Sequence, residues 1–195
     1  ILNNTFINEI GSGGTINFLN VVANTQIAGR SILCESNYGI IENCLIRGSV
    51  RGSSDHLGLV CSNNYGVIRN VGAVGEITGP NTYAAGITYS NSGEINNVYT
   101  SINISVYASG KYGSSSKKAS AYSNSGTITN AYVHSSFGTD SNSAAASADT
   151  LKSQDFVDQL NQNTTKNASW VLGSNNFNDG FPVLTKDVKL DVICR

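Results

Sequence analysis

Short apolar runs alternate with Asn, Ser, Thr and Gly along most of the chain, and the alternation repeats. Ser36-Asn37-Tyr38-Gly39-Ile40-Ile41-Glu42-Asn43-Cys44 returns as Asn63-Asn64-Tyr65-Gly66-Val67-Ile68-Arg69-Asn70-Val71, as Ser90-Asn91-Ser92-Gly93-Glu94-Ile95-Asn96-Asn97-Val98 and as Ser123-Asn124-Ser125-Gly126-Thr127-Ile128-Thr129-Asn130-Ala131. The glycines at 39, 66, 93 and 126 lie 27, 27 and 33 residues apart, a spacing typical of arrays built from one repeated unit. Around them run two asparagine columns (37, 64, 91, 124 and 43, 70, 97, 130) and two apolar ones. The apolar columns are Ile41, Ile68, Ile95, Ile128 and Cys44, Val71, Val98, Ala131.

The units are too rich in Gly, Asn, Ser and Thr for a helical repeat. Segments such as Val67-Ile68-Arg69-Asn70-Val71 are short and bounded by turn residues, as strands are. Stacking one unit on the next predicts an all-β fold, a parallel β-helix of four to five coils about 4.8 Å apart, with a short helical cap at the C-terminal end. The recurring Gly suits a corner where φ is positive or where backbones crowd. The asparagine columns are expected to bond their amides coil to coil.

Three parts follow along the chain. Residues 1–28 read as an irregular first coil, in which Gly14-Thr15-Ile16-Asn17 echoes the repeat and Phe18 stands in place of the second Asn. Residues 29–149 hold the repeats. The longer third spacing falls at Ser109–Lys118, a polar loop whose lysines, Lys111, Lys117 and Lys118, read as solvated. Ser135–Ala148 reads as a linker or lateral excursion. Residues 150–195 form a cap and exit strand. A helix is expected from about Ser153, its N-cap, to Leu160, with Phe156, Val157 and Leu160 on one face covering the open end of the solenoid and Trp170 packed beneath. Val188–Val192 alternates like a strand leading to a next domain.

Gly58-Leu59-Val60 and Ala85-Gly86-Ile87, each followed by the Asn/Gly corner and Gly-x-Ile-x-Asn, resemble the GLUG repeat over about residues 29–133. Cys61 departs from that pattern, standing where the motif has its second Gly, and one extra residue follows it. The order of a Lys-Ser-x-x-Phe-Val helix, Trp170 and Gly180-Phe181-Pro182-Val183-Leu184 is similar to the segment that closes such arrays. The resemblance implies a part of a large secreted or surface-anchored protein, either adhesin-like or a non-catalytic region of the immunoglobulin A metallopeptidase kind.

Net charge is −1 and only 13% of the 195 residues are charged, so no basic face is available to gather nucleic acid or anionic lipid. No run approaches the ~20 apolar residues of a membrane span, and no leader pattern precedes the repeats. The chain reads as a piece of a larger protein. Chemistry is sparse. His56 and His134 lack nucleophiles or metal-ligand spacing, and Glu35, Glu42, Glu76 and Glu94 fall in different columns, so no catalytic residue, metal or cofactor is expected.

Cys34 and Cys61 are one 27-residue period apart, close enough for a disulfide and equally compatible with two free thiols. Cys44 reads as a buried thiol. Asn3, Asn103, Asn163 and Asn167 begin Asn-x-Ser/Thr triplets. The candidate binding set is Tyr38 and Tyr65, one residue before their glycines, with Asn37 and Asn64. Rings on neighbouring coils would form a platform for a sugar, and Tyr89 with Tyr122 and Tyr99 with Tyr132 pair in the same way. The expected function is a non-catalytic module at the cell surface or outside the cell, an adhesin-like stalk contacting a host or neighbouring-cell surface protein or glycan. A carbohydrate-active β-helix enzyme and the spacer of a surface peptidase are the competing readings.

Overall fold

The structure, a computed structural model, describes residues 5–53, 56–111, 113–134, 141–164, 168–174, 178–185 and 190–194. Its core is a parallel β-solenoid of about four turns. In chain order the strands are β1 (Ile7–Ile10), β2 (Thr15–Asn17), β3 (Leu19–Ala23), β4 (Cys34–Asn37), β5 (Ile40–Arg51), β6 (His56–Gly58), β7 (Cys61–Asn64), β8 (Val67–Pro80), β9 (Tyr83–Ala85), β10 (Thr88–Asn91), β11 (Glu94–Tyr107), β12 (Ser116–Lys118), β13 (Ala121–Asn124) and β14 (Thr127–His134). Successive coils pair in register to give three sheets, β1-β4-β7-β10-β13, β14-β11-β8-β5-β3 and β6-β9-β12, with β2 also on β5.

The register puts identical positions over one another. Ile41, Ile68, Ile95 and Ile128 are direct partners, as are Cys44, Val71, Val98 and Ala131. The first three residues of each set have no solvent exposure. Ile41, Cys44 and Ile46 all face inward, which simple alternation along a strand forbids. Asn43 between them has φ 54, and Asn70, Asn97 and Asn130 repeat this conformation. Asn tolerates the left-handed region better than other side chains with a Cβ, and here it bends the strand and resets its phase.

The glycine column has a different job from the asparagines. Its φ values are not positive; what excludes a side chain is proximity. A Cβ on Gly66 would lie 2.1 Å from the Gly39 carbonyl oxygen. Of the two roles open to this Gly, crowding is the one it fills, and Asn takes the positive φ. Phe18, at the position where later coils have Asn, is held at φ 55.

The first asparagine ladder forms as expected, and the second forms over its lower coils. Nδ2 of Asn37, Asn64 and Asn91 donates to Oδ1 of the next coil's Asn at 2.8, 2.7 and 2.8 Å. The second ladder donates in the opposite direction, Asn97 to Asn70 at 2.7 Å, Asn70 to Asn43 at 3.0 Å and Asn43 to Asn17 at 2.9 Å. Most interior amides are paired this way without water, but the second ladder stops at Asn97, whose buried Oδ1 has no partner among the described residues, while Asn130 Nδ2 turns to Asn96 Oδ1 at 3.2 Å.

The C-terminal part differs from expectation in where it packs. After β15 (Ala144–Ala146), paired to the end of β14, come α1 (Ala148–Leu151) and α2 (Gln154–Gln162). Ser153 caps α2, accepting from the Phe156 amide at 3.2 Å. An antiparallel pair follows, β16 (Ser169–Val171) with β17 (Val183–Thr185). The apolar face of α2 does not cover the open end. Phe156, Val157 and Leu160 join Leu151, Trp170 and Phe181 against Leu45, Val74, Tyr99 and Tyr132, which point outward from the broad sheet. A second core thus lies on the solenoid's flank, because β5, β8, β11 and β14 carry apolar residues on both faces.

Smaller differences follow from the register. Ser116–Lys118, expected to be loop, is strand, since Ser116 pairs with Tyr83 of the coil below. The stretch expected as a linker contains β15 and the start of α1, while residues 135–140 lie outside the described residues. The tail forms β18 (Leu190–Cys194), which returns to pair with β3 of the first coil. Val188 and the triplets at Asn3 and Asn167 lie outside the described residues.

Candidate binding surface

Tyr38 and Tyr65 follow β4 and β7 at the corner between the narrow and broad sheets. The Tyr65 amide donates to the Asn37 carbonyl at 2.8 Å, and the Tyr38 amide to Ile10 at 2.8 Å, which fixes one residue above the other. Their ring centroids are 4.7 Å apart with planes 9° from parallel. Coplanar side-by-side rings would collide at that distance, so the two lie face to face, offset, with 44% and 48% of the residues exposed. The pair therefore differs from a platform made by both rings: each offers only its outer face.

Both outer faces have small neighbours. The position below Tyr38 is Gly11, with no atom within 4 Å of where a Cβ would be. Above Tyr65 stands exposed Ser92, its hydroxyl 3.1 Å from that of Ser125 on the following coil. Such a face, bordered by hydroxyls and backbone, suits the apolar side of a sugar or another flat ring. Asn37 and Asn64, grouped with the tyrosines from the sequence, have no exposure. Their amides are committed to the ladder, and only the tyrosines of that set meet solvent.

A second ring group was only half legible. Tyr89 and Tyr122 stack at 5.3 Å and 10°, as their spacing suggested, but His56 stacks beneath Tyr89 at 4.1 Å and 12°. Tyr83 meets Tyr122 edge-on at 5.4 Å, and Lys118 Nζ lies 5.1 Å from the Tyr122 centroid. Burial, then the neighbouring Tyr122 and Tyr83, raise the Tyr89 pKa above the usual phenol value. His56 is exposed, yet part of a stack. The available signal was the 27-residue period, which pairs His56 with Tyr83. Tyr99 and Tyr132 are direct partners but lie under the flank helices. The Tyr99 hydroxyl donates to the Pro182 carbonyl and accepts from Asn178 Nδ2 at 2.8 Å.

Cys34 and Cys61 are direct partners on β4 and β7 and are buried free thiols. The hydrogen bond with Cys61, followed by burial, pushes the Cys34 thiol up. Burial raises Cys44 to about 12. Among the described residues no group of three or more His, Cys, Asp or Glu gathers as metal ligands would, and no helix is long and apolar enough to cross a membrane. Glu42 is spent on Arg69 at 2.7 Å and on Asn17 at 2.9 Å. No family model matches the chain, and neither curated proteins nor solved structures contain a match to it.

Proposed function

We propose that this chain is a non-catalytic, GLUG-like repeat module of a secreted or cell-surface protein, adhesin-like in character, that contacts a glycan or surface protein through the Tyr38/Tyr65 stack. The observation that carries the reading is the pair of half-exposed parallel rings, whose outer faces have Gly11 and Ser92 as register neighbours. The low charge of the chain favours neutral partners, and stacking with a few hydroxyls is how neutral sugars are held. The test is a glycan array probed with the intact chain and with the Tyr38→Ala/Tyr65→Ala double variant. Binding by the first and loss in the second is expected. Equal binding by both, or none by either, overturns the glycan reading, and depolymerisation of any bound polysaccharide overturns the non-catalytic one.

A further inference from the structure

The last coil ends in an edge that is polar, exposed and chemically selective. Among the described residues no strand pairs with the outer side of β13 or with Thr127–Asn130 of β14; β15 covers only Tyr132–His134. Ser123, Asn124, Ser125, Thr127, Thr129 and Asn130 are exposed.

Three features of this edge state what would fit it. The first is the ladder. Every lower Asn of this column donates through Nδ2 to an Asn Oδ1 on the following coil. Asn124 is the last member; it accepts from Asn91 at 2.8 Å, and its own Nδ2 has no partner among the described residues. Its carbonyl and that of Gly126 occupy the places where Asn91 and Gly93 accept from the Ser125 and Thr127 amides, both at 2.9 Å.

The second is the glycine. A Cβ at positions 39, 66, 93 and 126 would lie 2.2, 2.1, 2.0 and 2.1 Å from the carbonyl of the glycine beneath. A strand crossing Gly126 in the same register must itself carry Gly there. The third is Ile128, which is half-buried where Ile41, Ile68 and Ile95 are fully buried, leaving apolar surface for another aliphatic residue.

We propose that the corner Ala121–Asn130 is a β-augmentation site for an extended partner strand with the sequence Asn-x-Gly-x-Ile, laid down parallel as one more layer. Main-chain bonds supply affinity in this mode and the side-chain columns supply specificity. The occupant is a repeat-type strand, and the first coil of a second copy is a poor one. Ile10 is the register partner of Asn37, so a copy stacked head to tail would set Ile10 against the Asn124 amide.

The rest of the edge is guarded. Lys117, which follows Leu57 and Ala84 in the inward column of its sheet, reaches the Ile104 carbonyl at 3.1 Å. Lys118, beside it on β12, bonds the Tyr122 carbonyl at 2.6 Å. Inward and edge lysines are common devices against indiscriminate strand pairing, and here Lys117 discourages pairing along β12 outside the corner.

The experiment titrates the intact chain with a synthetic peptide copying its own residues 88–98, followed by calorimetry and backbone amide NMR. Saturable binding with shifts centred on 121–130 is expected. A Gly93→Ala change in the peptide, or Asn124→Ala in the protein, should weaken it about tenfold, the loss of one to two hydrogen bonds with their steric fit. Absence of saturable binding, equal affinity for the Gly93→Ala peptide, or shifts centred elsewhere overturns the proposal. Concentration-dependent head-to-tail association of the chain alone overturns the exclusion of a second copy. None of these outcomes depends on Tyr38 or Tyr65.

Discussion

Substituting Asn64 by Ala separates the ladder's contribution from that of the surrounding strands. Asn64 has no exposure. It accepts from Asn37 Nδ2 at 2.8 Å and donates to Asn91 Oδ1 at 2.7 Å and to the Glu94 carbonyl at 3.2 Å. Truncation leaves Asn91 Oδ1 without that donor in a dry interior, while Asn37 Nδ2 keeps the Val67 carbonyl at 3.3 Å. A stranded buried polar group costs about 1–3 kcal/mol, and the small void adds to it, so a loss of about 2–4 kcal/mol is expected. The same change at Asn124 removes only the final acceptor. Asn91 Nδ2 retains the Gly93 and Thr127 carbonyls, both at 3.4 Å, and Asn124 is exposed, so the loss should stay below about 1 kcal/mol. Urea unfolding followed by far-UV circular dichroism, with slopes checked for equality, reads both variants. Equal losses, or a loss below about 1 kcal/mol for Asn64→Ala, would refute the view that the amides are satisfied by the ladder rather than by alternative partners.

Alkaline pH should destabilise the fold. Burial raises Cys44 to about 12 and raises Tyr99 as well, while its bond with Cys61 and burial raise Cys34. These acids keep their protons when folded but release them in the unfolded chain from about pH 8.5 for Cys and about 10 for Tyr. Stability is then flat below that window and falls above it by about 1.4 kcal/mol per pH unit per group. Cys44→Val, matching Val71 and Val98, should reduce the fall by one proton's worth in pH-dependent urea titrations; an unchanged slope would count against Cys44. At Asn70, held at φ 52, replacement by Gly and by Ala removes the same amide bonds. Gly should nevertheless be the milder change by about 1 kcal/mol, since only Ala is penalised at positive φ; thermal or urea midpoints in the reverse order would show that conformation is not what fixes Asn there.

The solenoid was legible because its evidence is periodic. A column of Ile or Asn recurring at a constant spacing is explained only if each copy occupies the same environment, and the register delivers that. Which way a column points was harder to read. Tyr38/Tyr65 and Tyr99/Tyr132 are each one repeat apart in the sequence, yet one pair is exposed and the other buried. The left-handed Asn between them in each coil resets the inward-outward phase, so alternation cannot be carried across it. A signal did exist in the unbroken apolar triplet Cys44-Leu45-Ile46, since adjacent residues on a strand are both buried only when both of its faces are covered. Read that way, Leu45 and Tyr99 call for a covering element, and α2 with its Phe156, Val157 and Leu160 is the amphipathic segment available.

That placement of the helices bears on what the end of the solenoid can do. If α2 had closed the last coil, its apolar face would have required large interior residues there. Instead the last coil tapers to Ala119, Ala121 and Ala131, each less than 5% exposed, and the exposed residues described along its edge over 121–130 are Ser, Thr and Asn, with Ile128 half-buried among them. Hydrophobic docking has little to hold on such a surface, since the apolar area left uncovered is mainly that of Ile128. Hydrogen-bonding groups in strand spacing remain, and their favourable partner is another strand. The flank core thus holds the coils together from the side, through Tyr99 and its bonds to Pro182 and Asn178, while leaving the axial edge free to select a sequence that repeats its own.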